Sequence, residues 1–199
     1  MDLFQMNVDL FRLINDFGKE HAYLNDTFIF IAEYMVFVLA LFVLMFWFTR
    51  IRENRMMIIS AIIAFIVAEV IGKIAGKLHA NNQPFAELSN VNQLIEKAVD
   101  NSFPSDHTIL FFAFCTTFCI YRKRWSYIWM TVAFFVGLSR IWVGVHYPAD
   151  VLVGALISIA SALMVSFIVP RLKFVRKLLW FYEKREQQFL PTREKSKEL

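Results

Sequence analysis

Cysteine is nearly absent from the 199 residues, and the two that occur, Cys115 and Cys119, stand four apart in one apolar run. That spacing suits a pair of buried thiols and argues against a disulfide framework or a thiolate metal site. Residues 1–26 have no basic start, no continuous apolar core and no small-residue cleavage site, so they do not read as a secretory leader. The chain has no internal repeat, no low-complexity segment and no nucleotide-binding motif. Its carboxylates do not cluster as a hard-cation site requires, so no metal or other cofactor is expected, and activity should survive a chelator.

What fills the chain instead is apolar. Hydrophobic residues make up 58% of it, 22 of them phenylalanine, and the mean hydropathy is +0.49. A soluble domain of this length has no need of such a composition, which points to an integral membrane protein. A hydrocarbon core of about 30 Å asks for roughly 20 apolar residues per helix. Runs at 27–48, 56–75, 108–121 (extended backward through Pro104), 125–145 and 151–169 meet that need, so the expected fold is all-α, a membrane bundle of about five transmembrane helices. Ahead of them, 1–26 places Leu3, Phe4, Met6, Leu10, Phe11 and Ile14 near one helical face and Asp2, Asp9, Arg12 and Asp16 largely on another, the pattern of an interfacial amphipathic helix. The expected organisation is thus an interfacial segment at 1–26, a transmembrane domain at 27–170 and a basic tail at 171–199.

Basic residues collect in three places: Arg50, Arg52 and Arg55; Arg122, Lys123 and Arg124; and Arg171, Lys173, Arg176 and Lys177. Lysine and arginine favour the cytoplasmic side, which puts these segments inside and the acidic N-terminus, the connection 76–106 and the turn 146–149 outside. The basic segments need no role beyond orientation and contact with anionic membrane lipid, and no nucleic-acid partner is expected. In a bacterium the outward segments would face the exterior of the cytoplasmic membrane.

Polar residues then converge at the outer depth from separate segments: Lys73 and Lys77, Ser105 and His107, Ser139 and Arg140, His146 and Asp150. An arginine within a span is costly unless it is paired or near the edge, and a phosphate would be a suitable partner. Pro104 and Ser105 resemble a helix start with Ser105 as cap, where free N–H groups and the helix dipole favour an anion. Pro148 suits the first turn of the next helix. Asp150 would then accept from one ring nitrogen of His146, leaving the other free to attack. Among the remaining acids, Asp106 suits a helix first turn. Glu33 is an intramembrane acid and so a functional candidate, as is Glu69, although Glu69 is also placed for an i, i+4 ion pair with Lys73.

The stretches "PSDH" (Pro104 to His107) and "SRIWVGVHYPAD" (Ser139 to Asp150) resemble the second and third signature motifs of the type 2 phosphatidic acid phosphatase superfamily in residue type and spacing. The first motif, a lysine followed by an Arg-Pro pair, departs here: "KLHANNQP" has Lys77, then Gln83 before Pro84. Glutamine lacks arginine's charged fork. Lys77 is the expected phosphate-binding lysine, with Lys73 as the alternative. The variant is similar to the bacitracin-resistance branch of bacterial undecaprenyl pyrophosphate phosphatases.

The resemblance implies that His146 is the nucleophile, forming a phosphohistidine. It makes His107 the leaving-group acid and later the base, and Asp150 the orienting carboxylate. Lys77, Gln83, Ser105, Ser139 and Arg140 would form the phosphate-binding set. The implied substrate is a lipid diphosphate, undecaprenyl pyrophosphate, at the outer face, and the implied role is in cell-wall synthesis. A phosphatidate or phosphatidylglycerol-phosphate phosphatase would use the same residues. A transporter component, with the charges lining a pathway, is the alternative of a different class.

Overall fold

The computed structural model describes residues 2–189, and every regular element among them is a helix. Helices α1 (Leu3–Glu20), α2 (Asn25–Phe48) and α3 (Arg52–Leu78) are followed by a single turn, α4 (Pro84–Glu87). After an irregular segment come α5 (Asp106–Tyr121), α6 (Ser126–Trp142), α7 (Pro148–Ile168) and α8 (Lys173–Phe189). Each of the five apolar runs forms a helix. By length and apolarity three of these are fit to cross a membrane, over Ala22–Phe48, Arg52–Leu78 and Pro148–Arg171, while Asp106–Tyr121 is apolar but shorter. At 1.5 Å per residue, the 16 residues of α5 and 17 of α6 fall short of a full hydrocarbon core of about 30 Å. The shortfall arises because the chain leaves helical geometry at 101–105 and at 143–147 to build loops.

Helix α5 is the hub, packed against α3, α6 and α7, while α2 closes the outside of α6 and α3. Small residues let these axes approach, as is usual between membrane helices. Ala61, Ala64 and Ala68 of α3, Ala113 of α5, Ala133 of α6 and Ala162 of α7 are all fully buried or nearly so. Around them Met57, Ile58, Phe111, Phe114, Cys115 and Phe118 form the main apolar cluster. Cys115 is buried and Cys119 half-buried, both as free thiols. By contrast Phe37, Leu41, Phe134, Leu156, Leu163 and Phe167 point outward, a girdle that lipid would cover.

The two ends of the bundle differ in chemistry. At one end the three basic segments meet: Arg122 donates to the Asn54 side chain, and Arg52 lies within 3.5 Å of the Arg176 carbonyl. Arg55, 1% exposed, holds α8 in place, pairing with Glu186 at 2.6 Å and Glu183 at 4.0 Å. Its guanidinium also lies over the rings of Trp47 and Tyr182. The basic tail expected at 171–199 is described as far as Phe189, as helix α8; the rest lies outside the described residues.

At the opposite end α1 lies across the loops. Its apolar face is divided: Phe11 is buried edge-on against Tyr147, whereas Leu3, Phe4, Met6 and Leu10 remain exposed. Asn15, fully buried, donates to the carbonyls of Trp142 at 2.8 Å and Asn92 at 3.0 Å and accepts from the Asn92 amide at 2.8 Å. Arg12 and Lys19 donate to the carbonyls of Ser89 and Asn90. The polar stripe of α1 is therefore partly a docking surface for the 88–92 loop.

Candidate active site

The chain between α6 and α7 shapes the site. Helix α6 ends as the Val145 and His146 amides both turn back to the Arg140 carbonyl, each at 3.2 Å. Gly144 permits this with φ of +83° and an approach so close that an added Cβ would lie 2.9 Å from the Asn92 carbonyl oxygen. Helix α7 then starts at Pro148, and Asp150 reaches back to accept from the Tyr147 amide at 2.8 Å. His146 and Asp150 are thus held one turn apart, both nearly inaccessible.

Their relation is less direct than the spacing predicts. His146 Nδ1 lies 2.9 Å from the Ser102 backbone carbonyl and 3.6 Å from Asp150 Oδ2, the latter beyond hydrogen-bond length. Ser102 joins the two, because its hydroxyl donates to Asp150 Oδ2 at 2.5 Å and lies 3.3 Å from Nδ1. A carbonyl can only accept, so Nδ1 carries the proton and Nε2 the lone pair. Burial, aided by the charges of Lys97 and Arg140, holds the His146 imidazole below its ordinary range despite the opposing pull of Asp150. The ring is therefore kept neutral, in the tautomer that a nucleophile needs.

Nε2 faces a cavity of about 420 Å³ whose lining includes His107, Arg140, Lys97, Glu33 and Asp106. Arg140 is 4% exposed; one terminal nitrogen donates to the Ala32 carbonyl at 2.9 Å, and its Nε is buried without a partner. A cation so placed is suited to receive an anion. Lys97, which nothing in the sequence singles out, puts its Nζ 3.4 Å from His146 Nε2. Burial and the nearby Arg140 push its ammonium below the usual lysine range, while Asp100, Asp106 and Asp150 pull the other way. A larger cavity of about 820 Å³ lies on the far side of Asp150, bordered by Asn7, His79, Asn81, Asn82 and Asn101.

Ser105, Ser139, Gln83, Lys77 and Lys73 stand outside the lining of the 420 Å³ cavity. Ser105 occupies the N-cap position of α5 but makes no capping bond, its oxygen accepting from Thr108 Oγ1 at 3.0 Å. Ser139 donates to the Val136 carbonyl one turn back at 2.7 Å. Gln83 is fully buried, accepts from the Asp100 amide at 3.0 Å and donates to the Asp100 carboxylate. Lys77 is exposed in the last turn of α3. Lys73 pairs with Glu69 at 3.6 Å, the helical ion pair their spacing allows, and Asp106 falls in the first turn of α5.

Sequence reasoning missed Ser102 and Lys97 because both lie in an irregular stretch with no periodicity. The local signal available was "DNS" (Asp100 to Ser102), one residue ahead of the Pro-Ser pair, a run of side chains that favour backbone hydrogen bonds over regular structure.

Residues 80–174 match the family model described as the PAP2 superfamily. The chain is 52% identical to "Bacitracin transport permease protein BcrC" of Bacillus licheniformis, over 98% of this chain and 97% of that protein. It is 31% identical to "Undecaprenyl-diphosphatase BcrC" of Bacillus subtilis, over 83% of each chain. Among solved structures, LpxE of Aquifex aeolicus superposes with a TM-score of 0.66 at 30% identity, covering 80% of this chain and 94% of that one.

Proposed function

Since the chain belongs to the PAP2 superfamily, we propose that it is a membrane lipid diphosphate phosphatase acting on undecaprenyl diphosphate. The observation that carries this is the neutral His146, its Nε2 lone pair directed into a cavity that also holds His107 and the incompletely paired Arg140.

In the proposed reaction Nε2 attacks the terminal phosphorus and an N–P bond forms. The bridging P–O bond breaks and its electron pair goes to the bridging oxygen, which leaves as part of the lipid monophosphate and takes a proton from His107. Water then attacks the phosphohistidine, giving its proton to His107, and inorganic phosphate departs. Arg140 balances charge on the transferring phosphoryl oxygens, the stabilisation on which such transfers chiefly depend. Asp150, acting through Ser102, balances the positive charge that develops on the imidazole.

The preference of lysine and arginine for the cytoplasmic face puts the basic end of the bundle inside and the His146 end outside, in a bacterial cytoplasmic membrane crossed five times. Residues 27–170 would then form the phosphatase unit, with 1–26 at the outer interface and 171–199 as an inner tail.

A second reading comes from the Bacillus licheniformis relative, which is named a bacitracin transport permease; under it the charges would line an export path for bacitracin. Purified protein in detergent separates the two. Release of phosphate from undecaprenyl diphosphate, abolished in His146→Ala, supports the phosphatase. No release from a folded, monodisperse preparation would overturn it.

A further inference from the structure

The cation expected opposite Arg140 is missing from its expected place. Gln83 is neutral, and both ends of its side-chain amide engage Asp100. Lys77 is exposed on α3, outside the cavity, and Lys73, 72% exposed, pairs with Glu69. A phosphoryl group reaching His146 would meet one strong cation from α6 and would lack a second from any of these. Electrostatic stabilisation of a transferring phosphoryl group asks for positioned charge on more than one side.

Lys97 fills that gap from a different segment. Its Nζ is 3.4 Å from His146 Nε2 and 3.8 Å from Asp100 Oδ1, and it lines the same cavity as Arg140 and His107. Because Nδ1 keeps its proton and donates it in a hydrogen bond to the Ser102 carbonyl, Nε2 can only accept, and the ammonium is the donor. Lys97 therefore occupies the approach that phosphorus must take. Gln83 holds this arrangement in place: it ties Asp100 to the start of α4, and Ser102 N donates to the Asn81 carbonyl at 2.7 Å, so that 97–102 forms a strap across His146.

We infer that Lys97 is the second phosphate-binding cation of this enzyme, held against the His146 nucleophile and donating to the phosphoryl oxygens of a bound substrate, with Gln83 positioning the strap that carries it. The inference rests on the phosphatase reading above. Lys97 would touch substrate and so act as a catalytic residue, whereas Gln83 acts through the strap.

The test compares full-length wild type, Lys97→Met, Lys97→Gln, Lys97→Arg and Lys77→Met in detergent, each checked for monodispersity and thermal unfolding. Two quantities are measured: single-turnover phosphorylation by undecaprenyl diphosphate, and binding of orthovanadate, an inorganic phosphate mimic. Removing one positioned donor from a charged transition state costs about 10²–10³-fold, and that loss is expected in phosphorylation for both Lys97→Met and Lys97→Gln. Orthovanadate affinity should fall alongside, and Lys97→Arg should recover most of both.

Removing the positive charge that faces Nε2 should also raise the pH midpoint of the His146 imidazole, and Lys97→Arg should keep it low. Arg140, His107, Asp150, Asp100 and Asp106 stay as they are in every variant. Wild-type phosphorylation and vanadate binding in Lys97→Met would overturn the assignment, as would a larger loss in Lys77→Met than in Lys97→Met. If wild type hydrolyses no lipid diphosphate yet binds orthovanadate in a Lys97-dependent way, the substrate reading falls and the anion site stands.

Discussion

Asp150 and His146 are neighbours that do not bond directly: 3.6 Å separates Oδ2 from Nδ1, and Ser102 stands between them, its hydroxyl 2.5 Å from the carboxylate and its carbonyl 2.9 Å from the ring. Ser102→Ala should therefore do two unequal things. The carbonyl that fixes the tautomer remains, but one buried oxygen of Asp150 loses a partner, worth about 1–3 kcal/mol or roughly a tenfold to hundredfold fall in kcat. Asp150→Ala should cost more, since it also removes the acceptor for the Tyr147 amide and the negative charge facing the ring. Steady-state kinetics on the two variants checks the order; equal losses would mean that the serine hydroxyl acts alone.

Protonation of His146 should follow from its burial. With its pKa depressed in the fold, the unfolded chain takes up a proton more readily than the native one. Stability contributed by keeping this ring neutral is present at and above the ordinary imidazole value near 6.5, and is lost as pH falls below it toward the native value. Nitrogen NMR of histidine-labelled protein should show Nδ1–H on His146 and a midpoint below 6.5. A midpoint above that value, or an Nε2–H tautomer, contradicts the assignment.

The role of His107 can be read from the leaving group. A lipid diphosphate expels a phosphate monoester whose second pKa is about 6, while a lipid monophosphate expels an alkoxide comparable to hydroxide, with a parent pKa of about 15.7. General acid catalysis is worth about 10²–10⁴-fold, and the alkoxide needs it more. His107→Ala should slow single-turnover phosphorylation near the top of that range for a prenyl monophosphate and near the bottom for the matched diphosphate. Equal slowing would remove His107 from the acid role.

At the other end of the molecule, Arg55→Ala should loosen α8. Buried Arg55 pairs with Glu186 at 2.6 Å and stacks with Trp47 and Tyr182, and charged hydrogen bonds of this kind are worth about 1.5–3 kcal/mol. Limited proteolysis should cut within Lys173–Phe189 faster than in wild type, while phosphatase activity is retained, since the site lies at the opposite end. Unchanged cleavage would show that α8 is held by its apolar contacts.

How far the sequence discloses this molecule depends on whether neighbours in space are also neighbours in the chain. Apolar runs announce their own helices because hydropathy is local, and Glu69–Lys73 follows from helical periodicity alone. His146 and Asp150 are legible for the same reason, being four apart around a Pro-started helix. Residues 79–105 are different. Their conformation is set by bonds from Gln83 to Asp100, Asn101 to Gly76 and Leu94 to Val143, none of them periodic. Lys97 and Ser102 therefore reach His146 by a route that no spacing rule describes. Asn15 was hidden for the opposite reason, a polar residue on an amphipathic helix that reads as solvated and is in fact fully buried.

That strap can be disturbed without touching any residue that lines the cavity. Gly76 sits where α3 meets it: Asn101 Nδ2 donates to the Gly76 carbonyl at 3.0 Å, and a Cβ added at Gly76 would lie 2.5 Å from the Phe103 carbonyl oxygen and 2.8 Å from Asn101 Nδ2. Contacts that short cannot be absorbed by a side-chain rotation, because the nearer one is backbone, so 101–103 must move outward. Overpacking of this kind costs about 1–3 kcal/mol. Here the displaced segment includes Ser102, whose carbonyl fixes the His146 tautomer. Gly76→Ala is therefore expected to lower kcat by about tenfold or more, as a loss of up to 3 kcal/mol allows, and to broaden or shift the Nδ1–H resonance of His146. Gly72→Ala supplies the comparison: its Cβ would meet the flexible end of Ile109, Cδ1 at 2.7 Å, which can rotate away. Stability should fall in both variants, but activity should fall out of proportion to stability only in Gly76→Ala. If the two lose activity in parallel with stability, the strap does not position His146.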